Sequence, residues 1–344
     1  MNKKHLLDLT PEEIEEDIKL LGQSPFRARQ IVEWVYKKRS ASIEEFTNLP
    51  AALRKEFDEK YVLRALKLKT RAESRIDGTT RYDFETAEGY IIPCVFLPSK
   101  DRNTVCISSQ AGCPVGCGFC ASGKSGFKRD LTRGEILEQI IEVQEQSRQR
   151  VTGILFMGMG EPFLNYSNVL SAVRAITDFR ELGFGRRHVT VSTIGVVPEI
   201  RKFADEKPGV RLALSLHAAD DVTRARLIGE KIRYTVKEAL EAGLYYSRKN
   251  NARLTIEYIV AAGVNDSEQS AEKLARLFNK SLSASDDIRV NLIPFNCTER
   301  SRLKTPKPEE LNRFKNNLAE NGIMAIIRQP KGLDITAACG QLGV

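Results

Sequence analysis

Short apolar runs alternate with amphipathic segments from about residue 90 onward, and this order limits the folds open to the chain. The runs that predict strands are GILFMG, HVTVST, VRLALSLHA, RLTIEYIV, IRVNLIPF and MAIIRQ. The segments with helical periodicity are TRGEILEQIIEVQEQ, VPEIRKFADE, VKEALEAGLYYSRK, SAEKLARLF and PEELNRFKNNLAENG. A strand-then-helix order requires right-handed crossovers. The sequence therefore predicts a parallel α/β sheet, either doubly wound or curled into a full or partial barrel.

The part before residue 90 predicts helices instead. Ser24-Pro25 forms a good N-cap and first-turn pair, and apolar residues then recur at helical spacing, namely Phe26, Ile31, Trp34 and Val35. A second helix is expected after Pro50. Basic residues lie on a neighbouring face of this helix and could meet phosphates, but an ordinary solvated face is the better explanation of them. We expect a small helical N-terminal domain.

The composition of the chain limits the expected cellular compartment and binding partners of the protein. The chain has no apolar run of membrane-spanning length, and its charged N-terminus has no signal-peptide core, so we expect a cytoplasmic protein with no membrane partner. In a reducing compartment, seven cysteines indicate metal or redox chemistry rather than a disulfide framework. The excess of 53 Lys and Arg over 45 Asp and Glu is compatible with a nucleic-acid partner, and by itself it decides nothing.

Polar or glycine-rich turns follow several of the predicted strands. The residues concerned are Gly160, Glu161, Ser192, Ser215, His217 and Asn296. Any one of them is explained by an ordinary turn or helix cap. Because ligands of parallel α/β folds bind at the carboxyl ends of the strands, several such turns on one rim favour a small-molecule site.

Three cysteines, Cys113, Cys117 and Cys120, stand in a C-x3-C-x2-C pattern. Three thiolates can hold three irons of a [4Fe–4S] cluster and leave the fourth iron open to a substrate or cofactor. A zinc site would need a fourth ligand such as Cys106 or Cys94, and an incidental group of thiols is the third alternative. The glycine-rich loop and Phe119 favour the open iron–sulfur cluster.

With an aromatic residue before its last cysteine, this motif resembles the signature of the radical S-adenosylmethionine (SAM) enzymes. In that superfamily the methionyl group of SAM chelates the open iron, and reductive cleavage yields a 5′-deoxyadenosyl radical. The resemblance implies a parallel, partial βα barrel of the radical SAM type. A hypothesis from another functional class is a non-catalytic RNA-binding protein whose cysteines hold zinc.

A closer resemblance covers nearly the whole chain. The segments that carry it are CISSQAGCPVGCGFCASGKSGFKRDLT, FMGMGEPFLN, VTVSTIGVVP, LSLHA, TIEY, GVND, NLIPFN and DITAACGQL. They resemble, in this order, the bacterial adenine-C2 RNA methyltransferases of dual specificity, which act on 23S rRNA and on tRNA. The resemblance implies an RNA partner and an electron donor for the cluster, and we expect a monomer. It also implies four regions: a helical RNA-binding domain (1–60), a β-rich connector (61–98), the radical SAM core (99–330) and a tail (331–344).

The same resemblance gives roles to two isolated cysteines. Cys339 matches the family's methyl-carrying cysteine, and Cys106 matches its resolving partner. A first SAM would methylate Cys339, and a second would supply the radical that removes hydrogen from the S-methyl group, so each turnover uses two. Cys106 would then release the methylated RNA by forming a transient disulfide with Cys339.

Residue-by-residue matching also assigns the cofactor contacts. Gly160 and Glu161 should contact the amino group of SAM, and Ser192 its sugar or methionyl end. The residues matched to the adenosine side are Ser215, Leu216 and His217, and Asn296 is matched to the adenine.

The chain departs from the family pattern at three places. Pro93 stands where the family has a glutamate that accepts a proton, and proline cannot act as a base. Glu88, five residues earlier, is the nearest replacement. Ile228-Gly229-Glu230 and the segment CTERSRLKTPKP replace loops where RNA would bind. An adenine-C8 methyltransferase, or another radical SAM RNA methyltransferase, is therefore the alternative function. The sequence does not decide whether rRNA or tRNA is the substrate.

Overall fold

A computed structural model describes residues 3–229, 231, 233–283, 286–297, 301 and 303–343. Its strands are β1 Lys4–His5, β2 Tyr61–Val62, β3 Lys67–Glu73, β4 Thr80–Glu85, β5 Ile91–Leu97, β6 Thr104–Cys106, β7 Gln110–Ala111, β8 Arg129–Asp130, β9 Gly153–Phe156, β10 Val189–Thr193, β11 Arg211–Ser215, β12 Leu254–Val260, β13 Ile288–Pro294 and β14 Ala325–Ile327. Its α-helices are α1 Pro11–Leu20, α2 Phe26–Val32, α3 Ala51–Lys60, α4 Ala121–Lys124, α5 Arg133–Ser147, α6 Tyr166–Thr177, α7 Val197–Asp205, α8 Asp221–Ile228, α9 Val236–Asn250, α10 Glu268–Ser281 and α11 Pro308–Glu320. A π-helical turn over Glu33–Lys37 continues α2.

One ten-stranded sheet organises the molecule, in the order β14-β13-β12-β11-β10-β9-β6-β5-β4-β3. The strands from β6 through β9 to β14 are parallel, as repeated strand–helix units require. The strands β3 to β6 are antiparallel neighbours, so the β-rich connector extends the barrel sheet. In the described part of the chain β3 and β14 are the two edges, which leaves the barrel partial. The predicted parallel α/β fold is confirmed.

All of the predicted strands and helices of the core are present, with ends that differ by a few residues. Three helices of the core, α4, α6 and α8, were not predicted. The eight residues of α8 carry little apolar periodicity, and the helix begins where Asp220 accepts a hydrogen bond from the Thr223 amide at 2.9 Å. In the N-terminal domain, α1 was also not predicted individually, although Thr10 and Glu13 form a capping box at its start.

The N-terminal helices are fixed to the barrel by buried polar contacts. Arg133, at the start of α5, donates to the Leu9 carbonyl at 3.0 Å and to the Tyr36 hydroxyl at 3.2 Å, and it also pairs with Glu181. Lys37 donates to two carbonyl oxygens of the barrel, at 2.7 and 2.8 Å. Part of the basic face of this domain therefore anchors it to the barrel. Within the described residues, none of the helices is long and apolar enough to cross a membrane.

Replacing Arg133 with Gln should lower the free energy of unfolding by about 3–5 kcal/mol, because Glu181 then becomes a buried carboxylate without its cation. Arg174→Gln is the matched control, since the Arg174–Glu206 pair lies at the surface, and it should lower stability by about 0–1 kcal/mol. Urea unfolding followed by circular dichroism measures both. Equal losses for the two variants would contradict a structural role for the buried arginine.

Candidate active site

The three clustered cysteines lie on a tight loop between β7 and α4. Gly112 has φ +79°, and a Cβ at this position would collide with the Gly126 carbonyl. Gly116 also has a left-handed backbone, with φ +81°. The loop therefore closes around Cys113, Cys117 and Cys120 only because these two positions are glycine.

The thiols of this loop act on one another electrostatically. Burial is the main cause that raises the pKa of Cys113 to about 12, and the neighbouring Glu161 and Cys120 contribute to this rise. Burial also raises the pKa of Cys117. An iron–sulfur cluster would offset this penalty because metal binding deprotonates a coordinating thiol. No three His, Cys, Asp or Glu side chains of the described residues converge on a single-ion site, and cluster cysteines need not do so, since each binds a different iron.

The turn after β9 packs closely against the start of the cysteine loop. Gly160 has φ +108°, and a Cβ there would lie 2.7 Å from the Ser109 hydroxyl. Glu161 accepts hydrogen bonds from the Ile194 amide at 2.8 Å and from the Phe163 amide at 3.1 Å, and burial raises its pKa to about 7. The Glu161 side chain thus joins the ends of β9 and β10 next to the thiols.

The ends of β10 and β11 bring the next set of predicted residues together. Ser192 and Ser215 lie 3.4 Å apart through their hydroxyl oxygens. Leu216 is fully buried behind them. The Phe119 ring of the cysteine loop meets the His217 ring edge-on at 4.9 Å, so this rim and the loop are in contact.

His217 is held in an unusual backbone conformation and in its neutral form. Its φ is +59°, and its Nδ1 accepts a hydrogen bond from the Ile259 amide at 3.1 Å. Burial, together with the nearby Arg224, lowers its pKa to about 3. An imidazole that stays neutral at physiological pH can orient a ligand but contributes no positive charge.

The C-terminal tail covers Cys106. The Cys106 side chain is 8% exposed and packs with Val95, Ala337 and Leu342. Burial raises the pKa of Cys106, and the nearby Cys339 raises it further. Both thiols are free, so the disulfide that the resemblance implies is not formed in this structure. The two cysteines nevertheless belong to one site.

Hydrogen bonds to its backbone hold the tail in place on both sides of Cys339. Arg81 on β4 donates to the Thr336 carbonyl at 3.0 Å and to the Gly343 carbonyl at 3.3 Å. The Ala121 amide, next to the cysteine loop, donates to the Gly340 carbonyl at 2.8 Å. Asn296 donates to the Cys339 carbonyl itself at 3.0 Å. The contact predicted for Asn296, with adenine, stays a prediction.

The structure separates Glu88 from the strand that carries Pro93. β5 begins at Ile91, and Glu88 lies in the turn before it, where Arg129 donates to its carboxylate at 2.6 Å. This hydrogen bond lowers the pKa of Glu88 and makes it a weaker base. The Pro93 carbonyl accepts a hydrogen bond from Ser108 at 2.6 Å. The role of Glu88 as proton acceptor stays a prediction.

Two residues of the site were not identified from the sequence. Arg81 is one of many arginines on polar strands, and nothing local shows that it binds the tail. Glu257 lies within the quoted TIEY segment, but its neighbours across the sheet depend on strand register. An acidic residue inside an apolar strand is the only signal that pointed to it.

Replacing Arg81 with Gln should loosen the tail, because two backbone anchors are lost while the barrel stays intact. Cys106, which the tail covers, should then react with iodoacetamide at least ~5-fold faster. Arg71→Gln on the neighbouring strand, where Arg71 pairs with Glu73 at the surface, should leave the rate unchanged. Peptide mass spectrometry measures alkylation of Cys106, and equal rates in both variants would contradict the anchoring.

Comparison with known proteins agrees with this geometry. A model of the radical SAM superfamily matches residues 107–275, and a model of the ribosomal RNA large subunit methyltransferase N-terminal domain matches residues 4–63. The crystal structure of a radical SAM methyltransferase from Sphaerobacter thermophilus superposes with a TM-score of 0.92 at 39% identity, covering 98% of both chains.

Similarity to curated proteins extends over the full length. A probable dual-specificity RNA methyltransferase RlmN of Endomicrobium trichonymphae is 46% identical over 341 residues, which cover 99% of this chain and 97% of that protein. A protein of the same name from Thermotoga maritima is 43% identical, covering 98% and 97%. The chain therefore belongs to the RlmN family of dual-specificity RNA methyltransferases within the radical SAM superfamily.

Proposed function

We propose that this protein methylates C2 of an adenosine in 23S rRNA, in tRNA or in both, through an S-methylcysteine at Cys339. The observation that carries the proposal is the position of Cys339. Its carbonyl accepts a hydrogen bond from Asn296, and the carbonyl of the following residue, Gly340, accepts one from the Ala121 amide beside the cysteine loop. The Cys339 thiol lies near Cys106. Membership of the RlmN family supports the same reaction, since the relatives are named for RNA methylation.

The residues of the site fit the cofactors of the superfamily. Cys113, Cys117 and Cys120 would hold a [4Fe–4S] cluster, and the adjoining rim would hold SAM through Gly160, Glu161, Ser192, Ser215, Leu216, His217 and Asn296. When bound, this pair supplies a carbon-centred radical by one-electron reduction. The glycines at 112 and 160, where a side chain would collide, leave room only for backbone, as close packing around a cofactor requires.

Cys339 carries the methyl group. Its thiol takes the methyl group of one SAM molecule, and the resulting S-methyl group gives up a hydrogen atom in the reaction of a second, so each turnover consumes two. The methylene radical on the Cys339 sulfur adds to C2 of adenine. The adduct then loses the C2 proton and one electron, for which a cluster held by Cys113, Cys117 and Cys120 would be the acceptor, and the RNA stays joined to Cys339 through a thioether.

Cys106 releases the product. Its thiolate attacks the sulfur of Cys339, the S–S bond forms, the S–CH2 bond breaks, and the methylene carbon takes a proton to become the methyl group. Two electrons from an external donor then reduce the disulfide. Burial, which raises the pKa of Cys106, keeps this thiol protonated and unreactive until the site is engaged.

RNA is expected to contact the small helical domain and the rim of the barrel. We assign residues 1–60 to RNA binding, 61–98 to the connector that anchors the tail, 99–330 to the radical core and 331–344 to the tail. The net charge of +8 favours a polyanion. Because the edge of a paired adenine is inaccessible, the target base must be splayed out of its helix. We propose that the protein acts as a cytoplasmic monomer.

One observation favours a second candidate, an adenine-C8 methyltransferase or another radical SAM RNA methyltransferase. Pro93 stands in place of the expected base, and the two loops that depart from the family pattern also favour a different reaction. Of these loops, Glu230 and parts of the 297–308 segment lie outside the described residues. Such an enzyme would use the same Cys339 chemistry at a different atom. A zinc-binding RNA protein gives no role to Cys339, and iron analysis of protein purified without oxygen distinguishes it.

Expression in cells that lack their own adenine-C2 methyltransferase should produce 2-methyladenosine in 23S rRNA, in tRNA or in both, measured by nucleoside mass spectrometry. Cys339→Ala should reduce it to background, because the methyl carrier is lost. Cys106→Ala should leave RNA covalently attached to the protein, because the thioether is not resolved.

Cys297→Ala is the control, since Cys297 is an exposed cysteine near the same end of the barrel, and it should behave as the wild type. Appearance of 8-methyladenosine would replace the C2 assignment with the second candidate. Wild-type turnover by Cys339→Ala would overturn the S-methylcysteine route altogether.

A further inference from the structure

An exposed aromatic ring lies just after the loop of the three cysteines. The Phe127 side chain is 45% exposed, in the segment between α4 and β8. A single exposed apolar side chain is ordinary on a protein surface. What distinguishes Phe127 is its place, because it is the exposed large apolar side chain of residues 113–130, the part of the chain that forms the cysteine loop and its surroundings.

The backbone around Phe127 is fixed against the start of the cysteine loop. The Lys128 amide donates to the Ala111 carbonyl at 2.9 Å, and β7 pairs with β8 directly beside this bond. A Cβ on Gly112 would lie 3.1 Å from the Phe127 Cα, so the two backbones are in contact. Gly112 directly precedes Cys113. The ring is therefore held on a rigid support beside the cysteine loop rather than on a loose tip.

The same segment also contacts the tail. The Ala121 amide, at the start of α4, donates to the Gly340 carbonyl, and Gly340 directly follows Cys339. The helix α4 ends at Lys124, and Phe127 follows three residues later. With a rise of ~1.5 Å per helical residue and a reach of ~3.6 Å per extended one, the Phe127 Cα lies within ~16 Å of the Ala121 Cα. A base that reaches Cys339 therefore brings its neighbours in the RNA into the region of this ring.

A positive charge accompanies the ring. Lys128 is exposed, and it forms no ion pair within the described part of the chain. The next residue, Arg129, is instead paired with Glu88 and Glu135, so its charge is used inside the protein. An aromatic ring beside a lysine is a combination that binds single-stranded RNA, because bases stack on aromatic faces and phosphates pair with cations.

The proposed reaction creates a need for stacking at this place. Taking the target adenine out of its helix removes the stacking partner of the base beside it. Proteins that bind unpaired RNA replace such lost contacts with aromatic side chains. Phe119, the other phenylalanine of residues 113–130, is buried and contacts the His217 ring. Phe127 is therefore the ring of this segment that a base at the surface can reach.

We propose that Phe127 stacks on the base next to the target adenine and that Lys128 contacts the phosphate of that nucleotide. The inference rests on the proposed function and names two residues that bind its substrate. Both contacts use features that all nucleotides share, a flat base and a phosphate, so they add affinity without requiring one sequence. A contact of this kind suits the dual specificity for which the relatives are named.

Replacing Phe127 with Leu should weaken binding of the RNA that the wild type methylates by ~10-fold, the usual effect of losing one base–aromatic stack. Phe127→Tyr keeps an aromatic face and should bind like the wild type. Met324→Ala is the control and should also bind like the wild type, because Met324 is 85% exposed just before β14, at the opposite end of the strands. Fluorescence anisotropy at one fixed salt concentration measures the Kd of each holoenzyme variant.

Stacking itself is visible through 2-aminopurine, a fluorescent base that is quenched on an aromatic ring. This probe replaces, in turn, each of the two bases next to the target adenine. At saturating protein and for one of the two positions, its emission should be lower with the wild type and Phe127→Tyr than with Phe127→Leu. A merely structural role of Phe127 would not change the emission of the bound probe. Equal emission from all three complexes, or an equal Kd for Phe127→Leu and the wild type, would overturn the proposal.

In steady-state assays, Phe127→Leu should raise the KM for RNA by ~10-fold and leave the KM for SAM and the iron content unchanged. A raised KM for SAM with an unchanged Kd for RNA would place the ring against the cofactor. Slower reduction of the cluster by a protein donor, again with an unchanged Kd for RNA, would make the ring a docking point for that donor. Either result would overturn the proposal. If the wild type methylated no adenine, the proposed function itself would fail, and that failure is visible before any variant is compared.

Discussion

In the proposed reaction, the tail has to hold one thiol within reach of three reaction partners in succession: the cofactors, an RNA base and a second thiol. Strong side-chain packing would fix Cys339 for one of these steps and exclude the others. The structure instead anchors the backbone on both sides of Cys339, through Arg81 and the Ala121 amide, and leaves the side chain itself exposed. Backbone anchors limit the search volume of a terminal segment without specifying a single position of its side chain.

Several ionisable side chains of this site are buried, and their burial shifts their pKa values. His217 has a pKa of about 3 and stays neutral, and Glu161 and Glu257 have pKa values near 7. In each case desolvation is the largest cause, because an interior of low polarity disfavours the charged form. In the proposed reaction, such an interior would also protect a carbon radical from water. The same environment that isolates the reaction thus places a carboxylate in a state where it can exchange protons.

The sequence was sufficient for the fold and for the cysteine loop, because both depend on local patterns. Strand and helix periodicity predicted the parallel core, and the spacing of Cys113, Cys117 and Cys120 indicated an open cluster without any structural information. The pairing of Cys106 with Cys339 came from family resemblance alone, since their proximity depends on how the tail folds back. Arg81 and Glu257 depend on that path and on strand register, which no local pattern specifies.

Departures from the family pattern were also visible in the sequence, but their consequences were not. Pro93 stands where the family has a base, and only the structure shows that Glu88 is engaged by Arg129. The helix α8 was missed for a related reason: its eight residues are stabilised by a cap at Asp220 and by the surrounding fold rather than by its own periodicity.

Peptide mass spectrometry of the protein as it is purified from cells tests the central claim most directly. The account predicts that the tail peptide with Cys339 carries one added CH2 group on the Cys339 sulfur in a substantial fraction of the molecules, and that this group is absent when the cysteines of the 113–120 loop are replaced by alanine. Protein that methylates adenosine in RNA while Cys339 is never found methylated would contradict it.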